Sequence, residues 1–303
     1  MTLHHTVARP SVAAVGMFDG VHMGHCTLVH TLVDEARRRN ARSLVLTFSR
    51  HPLELLRPDE VPPTLCSRSL RCERLIELGV DSVEFLDFTP ALRALTGREF
   101  LRLLRRRYGV TALVVGFNNH FGSDRLDASA ARLVGAEEGV EIIPAEPLLL
   151  SDKSGVSSSR IRRAVAEGDV DVAARLLGRP YAIEGTVAHG EALGRKLGFP
   201  TANLIPADPD AALPAPGVYA VDVEIPHLGI RRRGVTNIGH RPSVAGADGS
   251  LTIETYILDF DGDVYSRPLR LHFLRRLRRE QRFPSLEALR AQIAADARAA
   301  RLA

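Results

Sequence analysis

Short apolar runs alternate with helix-period patterns through the first half of this 303-residue chain, and that alternation limits the possible folds more than any other feature. The runs fall at 11–15, 43–48, 82–85, 112–115 and 141–143, and the helical patterns at 26–39, 68–78, 97–107 and 127–138. Strand then helix, repeated, predicts a parallel sheet covered on both faces, because each crossover carries the chain back across the sheet. Ligands of such sheets sit beyond the carboxyl ends of the strands. The turn 16–25, the pair His51-Pro52 and the loop 116–125 all follow predicted strands, so they are expected to share one cleft.

The pattern then changes. Residues 157–177 read as two helices broken at Gly168-Asp169. Beyond Gly178-Arg179-Pro180, strand-like stretches at 181–188, 217–225, 229–239, 251–260 and 269–273 are separated by Gly/Pro turns, which predicts a small antiparallel barrel. Ser285 caps a final segment with Leu286, Leu289, Ile293 and Ala294 on one face, predicting a closing helix. Two domains are expected, 1–179 with the parallel α/β sheet and 180–303 with the antiparallel β-barrel and C-terminal helix.

Composition excludes other classes. No apolar stretch approaches the roughly 20 residues that span a bilayer, and the first residues lack a secretory apolar core, so no membrane role and a cytoplasmic location are expected. Cys26, Cys66 and Cys72 have no metal or redox spacing, which fits a reducing compartment. The formal charge of +4 raises the question of nucleic acid. All but Lys153 and Lys196 of the 40 basic residues are arginines, spread over both halves. Clusters such as 37–39, 105–107 and 231–233 fall at predicted helix ends or turns and read as solvated ends of elements. No nucleic-acid partner is expected.

Chemistry concentrates first in Gly16-Met17-Phe18-Asp19-Gly20-Val21-His22-Met23-Gly24-His25. Two imidazoles three residues apart at a helix start fall on one side of its first turn. The helix N-terminus favours phosphate, and Gly24 lets it approach the backbone. A second element, Val156-Ser157-Ser158-Ser159-Arg160-Ile161-Arg162, places hydroxyls at a helix start and arginines one turn on, a set able to hold triphosphate oxygens. A third is the loop from Gly116 to Arg125. Together these resemble the His-x-Gly-His and Ser-Ser-Thr/Ser-x-x-Arg signatures of the nucleotidylyltransferase superfamily, in the form carried by bacterial FAD synthetases. The resemblance implies a Rossmann-like domain in which the phosphate of FMN attacks the α-phosphorus of ATP and pyrophosphate leaves. It implies that His22 and His25 stabilise the phosphates in the transition state and that Ser158, Ser159 and Arg162 steady the β- and γ-phosphates. Gly16, Phe18, Asp19, Gly24, His51 and Asn118 are implied substrate or nucleotide contacts. His51 lies in Phe48-Ser49-Arg50-His51-Pro52, where Arg50 replaces a proline of the family's Phe-x-Pro-His-Pro.

The second concentration runs from Gly190 to Leu204. Gly190, Gly194 and Gly198, spaced by four, suit a loop whose backbone approaches phosphate, although the Gly-Lys-Ser/Thr ending of a Walker loop is missing. Thr201 and Asn203 are two apart; on an extended segment they face one side and offer hard oxygen ligands to Mg²⁺-ATP. The string Gly194-Arg195-Lys196-Leu197-Gly198-Phe199-Pro200-Thr201-Ala202-Asn203 resembles riboflavin kinase, with supporting strings at 216–220, 234–242 and 254–260. The resemblance implies that Glu254 is the general base for the ribityl 5′-hydroxyl, that Thr201 and Asn203 hold the metal, and that Arg195, Asn237 and Arg241 contact substrates. Ser266 stands where the family usually has glycine, and 277–285 resembles its segment flanking the flavin.

From about residue 11 to 296 the chain therefore resembles the prokaryotic bifunctional riboflavin kinase/FAD synthetase family. The resemblance implies phosphorylation of riboflavin to FMN in the C-terminal domain and adenylylation of FMN to FAD in the N-terminal one. ATP with Mg²⁺ would serve both. Riboflavin, FMN and FAD are then substrates and products, with no tightly bound redox cofactor and no oligomeric state implied. Two alternatives stand beside it: a chain active only as the kinase, and a nucleotide-binding regulator without turnover. FAD formation from FMN and ATP separates them.

Overall fold

The computed structural model describes residues 9–116, 121–148, 155–189, 194, 198–240 and 251–303. They group into two units: residues up to Pro62 with Arg68–Val156, and Pro63–Ser67 with Ser157–Ala303.

The first unit is a five-stranded sheet of β1 (Ser11–Val15), β2 (Arg42–Phe48), β3 (Ser82–Leu86), β4 (Val110–Val115) and β5 (Glu141–Pro144) in the order β3-β2-β1-β4-β5. All four pairings are parallel. Around it run α1 (Met23–Arg38), α2 (Leu53–Leu56), α3 (Arg68–Glu77), α4 (Pro90–Ala94), α5 (Gly97–Tyr108) and α6 (Ala128–Glu138). Alternate strand residues enter two cores. Val12, Ala14 and Val45 pack with Val29, Leu32 and Val33 of α1, while Ala13, Leu44 and Leu46 pack with Phe100, Leu101 and Leu104 of α5. Each fully buried leucine contributes about 1.5–3 kcal/mol. Strand order reverses between β1 and β4, which opens a crevice at their carboxyl ends.

Every strand and helix expected in this half is present, with shifted ends; α2 and α4 are additions. The largest shift is at α1, which starts at Met23 rather than Cys26 because the His22 side chain caps it. Histidine is not a usual N-cap residue, so the start is hidden from cap statistics.

The second unit begins with α7 (Ser158–Glu167) and α8 (Val170–Leu177), stopped by Gly168 at φ +80° and Gly178 at φ +76°. β6 (Tyr181–Ala188), β7 (Thr201–Pro206), β8 (Gly217–Ile225), β9 (Ile230–His240), β10 (Leu251–Ile257) and β11 (Pro268–Arg278) close into a barrel in the order β10-β7-β6-β11-β8-β9. α9 (Leu286–Arg301) follows. The strand expectation missed β7, which is the strand that joins β10 to β6. Its Ala202 and Leu204 are buried while Thr201 and Asn203 are half-buried, a polar alternation too short to stand out as a strand. Inside the barrel Thr236 and Thr255 share a hydrogen bond of 2.9 Å, and Tyr219 meets Phe273 edge-on at 5.5 Å. Outside it, Val218, Ala220, Val235 and Leu258 pack with Ala300 of α9.

A charge network on β8, β9 and β11 carries a pH dependence. His272 Nε2 lies 2.8 Å from Glu224, which also pairs with Arg231 at 2.9 Å and Arg270 at 3.6 Å. Burial pushes the His272 imidazole below its ordinary value, against the pull of Glu224. Burial alone would raise Glu224, but the hydrogen bond from His272 and the charges of Arg270 and Arg231 hold it below the usual carboxylate range. The folded state thus prefers neutral His272. Its contribution is full above the unfolded value of about 6.5 and is lost as pH falls from there toward the depressed folded value. Tm measured against pH is expected to fall below about pH 6.5. His272→Gln, which keeps an N–H donor to Glu224 without titrating, should remove that step and leave the more acidic carboxylate one.

Candidate active sites

In the first unit the chain leaves β1 through a tight turn. Phe18 at φ +48° and Val21 at φ +41° adopt left-handed conformations costly for residues with a Cβ. Phe18 is 2% exposed and packs in the core, and that burial holds the turn. His22 then caps α1, its Nδ1 accepting from the His25 N–H at 3.2 Å. Because Nδ1 accepts, the neutral ring carries its proton on Nε2, a donor suited to a phosphate oxygen. The two imidazoles stack at 3.6 Å with planes 12° apart, and the Phe18 ring lies 5.2 Å from His25. A methyl group on Gly24 would sit 3.3 Å from the His22 ring, and one on Gly16 3.2 Å from Phe18. Both glycines therefore leave room for the rings.

Gly16, Phe18, His22, Gly24 and His25 line a cavity of about 600 Å³ at the strand-order reversal, with Gly116 beyond β4 and Gly155 on its far side. Asp19 is buried in the turn. His51 is elsewhere. It lines a separate cavity of about 360 Å³ with Arg50, Glu54, Asp87 and Phe88. Its Nδ1 accepts from the Leu53 N–H at 3.1 Å at the start of α2, which turns the loop toward the exit of β3. The single cleft expected from the sequence is thus two cavities. After Gly116 the loop folds back on α4 and α5: Ser123 N–H donates to the Leu95 carbonyl and Gly97 N–H to Asp124 Oδ1, each at 2.8 Å. Asn118 lies outside the described residues, as do Gly190, Arg195 and Arg241.

In the second unit, barrel register assembles the site. Glu254 on β10 stands opposite Asn203 on β7 and Asn237 on β9, and Thr201 stands opposite Tyr256. Opposite residues of an antiparallel ladder share a face, with Cβ atoms about 4.5–5.5 Å apart. The carboxylate thus lies between two carboxamides, and Thr201 and Asn203 share its side. Thr201, Asn237, Glu254 and Tyr256 line a cavity of about 300 Å³ whose other wall is Phe283, Leu289 and Ile293. Gly194 also lines it and has no room for a side chain, since a Cβ would overlap the Phe199 carbonyl. Gly198, at φ +84°, has open space around it and is needed for its backbone alone. Ser266, at the family's glycine position, adopts φ +56°. Ser158 and Ser159 open α7, capped by Ser157, and Arg162 Nε donates to the Pro63 carbonyl at 2.7 Å.

Sequence reasoning missed one ion pair at this cavity. Arg278 Nη2 and Nε reach Asp296 Oδ2 at 2.9 and 3.1 Å, Gln292 donates to Asp296 Oδ1 at 2.9 Å, and the guanidinium lies 5.6 Å from the Phe283 ring. The available signal was an acidic residue on an apolar stripe, Leu289, Ile293, Asp296, Ala300. Asp296→Ala would leave the guanidinium without its carboxylate. It is expected to cost about 3 kcal/mol in urea unfolding and to raise KM for riboflavin, with FAD formation from FMN unaffected.

Residues 4–160 match the family described as FAD synthetase, and residues 177–303 the family described as riboflavin kinase. A Pseudomonas fluorescens protein named bifunctional riboflavin kinase/FMN adenylyltransferase is 43% identical, covering 97% of this chain and 93% of its own length. The chain belongs to the bifunctional riboflavin kinase/FMN adenylyltransferase family. The Escherichia coli K12 relative of that name is 40% identical over 96% of this chain and 91% of its own. A solved structure described as a macrolide-efflux protein from Streptococcus pneumoniae superimposes with a TM-score of 0.87 at 32% identity, covering 97% of this chain and 94% of that one. Among the described residues of this family member, no helix is long and apolar enough to cross a membrane. The family's FAD synthetase half takes in the parallel sheet and its riboflavin kinase half the barrel and α9.

Proposed function

We propose that the chain converts riboflavin to FAD in two ATP-dependent steps, with residues 180–303 as the kinase and 1–179 as the adenylyltransferase. The observation that carries this reading is the pair of constellations: stacked His22 and His25 at a helix N-terminus over one cavity, and Glu254 between Asn203 and Asn237 over another.

In the kinase step the ribityl 5′-oxygen attacks the γ-phosphorus of ATP, Glu254 takes the hydroxyl proton and ADP leaves. Val235, Phe283, Leu289 and Ile293 supply apolar walls suited to an isoalloxazine. Thr201 and Asn203 offer neutral hard oxygens on the Glu254 face, which fits Mg²⁺ arriving on a triphosphate and keeping water and phosphate as its other ligands. The ion neutralises phosphate charge. Gly190, Gly194, Arg195 and Gly198 are assigned to the nucleotide, and Asn237 and Arg241 to the substrates.

In the adenylyl step a phosphate oxygen of FMN attacks the α-phosphorus of a second ATP and pyrophosphate leaves. His22 and His25 meet the charge that builds on the transferred phosphate, aided by the α1 N-terminus. Gly16, Phe18, Asp19 and Gly24 shape the nucleotide pocket, and His51 and Asn118 contact FMN or phosphate. Ser158, Ser159 and Arg162, at the capped start of α7, are assigned to the β- and γ-phosphates. The partners are small molecules, with no nucleic acid or membrane, and flavins pass through as substrate and product. A cytoplasmic location accords with Cys26, Cys66 and Cys72 as free thiols.

One incubation with riboflavin, ATP and Mg²⁺, sampled over time, should show FMN rising before FAD, with pyrophosphate released in step with FAD. FMN without FAD would reject the two-step reading.

A further inference from the structure

We propose that Arg71 is a positioning residue for FAD formation, bracing the loops that leave β1 and β2. The inference rests on the adenylyltransferase reading of the first unit. Arg71, on α3, is 3% exposed, and among the described residues no carboxylate lies within ion-pair distance of it. Its Nη1 donates to Thr47 Oγ1 at 3.2 Å and to the Phe48 carbonyl at 3.0 Å. Thr47, fully buried, donates its hydroxyl to the Met17 carbonyl at 2.9 Å. Arg71 Nε has no hydrogen-bond partner among the described residues.

A buried guanidinium bonded only to neutral acceptors is costly, and an apolar side chain of similar length would pack on the sheet at less expense. What the charge reaches explains its presence. Met17 precedes Phe18, the left-handed residue whose ring lies against His25. Phe48 begins the segment that ends at His51-Pro52. Donation from a cation polarises the Thr47 hydroxyl and strengthens its own bond to Met17. One side chain thereby ties the exit of β1, directly before the histidine turn, to the exit of β2, directly before the His51 loop. Adenylyl transfer joins two anionic substrates at one phosphorus, and a displacement of about 1 Å in such a site costs up to about 100-fold in rate.

The test uses the full chain with Arg71→Met, Thr47→Val, their double variant, and the conservative Arg71→Lys and Thr47→Ser. Arg71→Met and Thr47→Val are expected to lower kcat for FAD formation from FMN by about 10- to 100-fold, with KM for FMN and ATP nearly unchanged and riboflavin phosphorylation at the wild-type rate. Thr47→Ser should restore kcat, and Arg71→Lys, which keeps the charge without the fork, should recover part of it. The double variant should lose no more than the worse single one, since both cut one relay. If Arg71→Met does not fold, Thr47→Val and its serine rescue carry the test. Wild-type kcat in Thr47→Val, or FAD and FMN formation falling together in step with Tm, overturns the inference. A wild-type chain that makes no FAD from FMN overturns the adenylyltransferase reading and this inference with it.

Discussion

His25→Ala is expected to lower FAD formation from FMN by about 10²- to 10³-fold, the usual loss for removing one preorganised donor from a charge-stabilising site. Riboflavin phosphorylation by the same variant should stay at the wild-type rate. The choice of His25 over its neighbour follows from the geometry. His22 accepts the His25 N–H through Nδ1 and caps α1, so His22→Ala would also cost about 1 kcal/mol of helix stability. His25 has no such capping duty, and its removal leaves the bond to its backbone N–H in place. Separating riboflavin, FMN and FAD chromatographically from two incubations, one started with riboflavin and one with FMN, reads both activities of one preparation. Undiminished FAD formation would remove the stacked imidazoles from the chemistry. Equal loss of both products in a variant with wild-type Tm would remove the independence of the two sites.

Glu254→Gln should produce the reverse. Loss of a general base costs about 10²- to 10⁴-fold, and here it should appear in kcat for FMN formation. Glutamine keeps the size of the side chain and can still bond to Asn203 and Asn237, its partners across the ladder. KM for riboflavin should therefore move little, because the apolar wall of Phe283, Leu289 and Ile293 is untouched. FAD formation from supplied FMN should match wild type. A tenfold rise in KM without a fall in kcat would make Glu254 a binding residue and leave proton removal to another group. The two variants mixed in one vessel should together restore FAD synthesis from riboflavin, since the product of one site is the substrate of the other.

Much of this was legible before any coordinates. The strand–helix alternation of the first half, the break at Gly168-Asp169 and the capped final helix all appear where local pattern put them. Each is decided by residues within a few positions of one another: apolar period, caps, and glycines at positive φ. Several misses share a physical cause. α1 begins three residues early because an imidazole does the work usual for a hydroxyl or carboxylate. β7 was overlooked because its stability comes from β6 and β10 on either side and little from its own composition. The one cleft expected for the histidine turn and His51 became two because α2, a single helical turn, redirects the second loop.

Residue order alone therefore carried the chemistry: imidazoles three apart on a glycine turn, and a threonine and asparagine two apart before a strand glutamate. Spacing along the backbone dictates which side chains share a turn or a pleat, so those groupings survive any arrangement of the rest. Only folding settled which distant residues meet. That Glu254 lies level with Asn203 and Asn237 is a matter of strand register around a closed barrel. That Arg278 finds Asp296, and Arg71 finds Thr47 and Phe48, depends on helices seated by apolar packing. Such partners are separated in sequence by strands, turns and loops, and no local rule specifies them, because burial fixes their positions collectively.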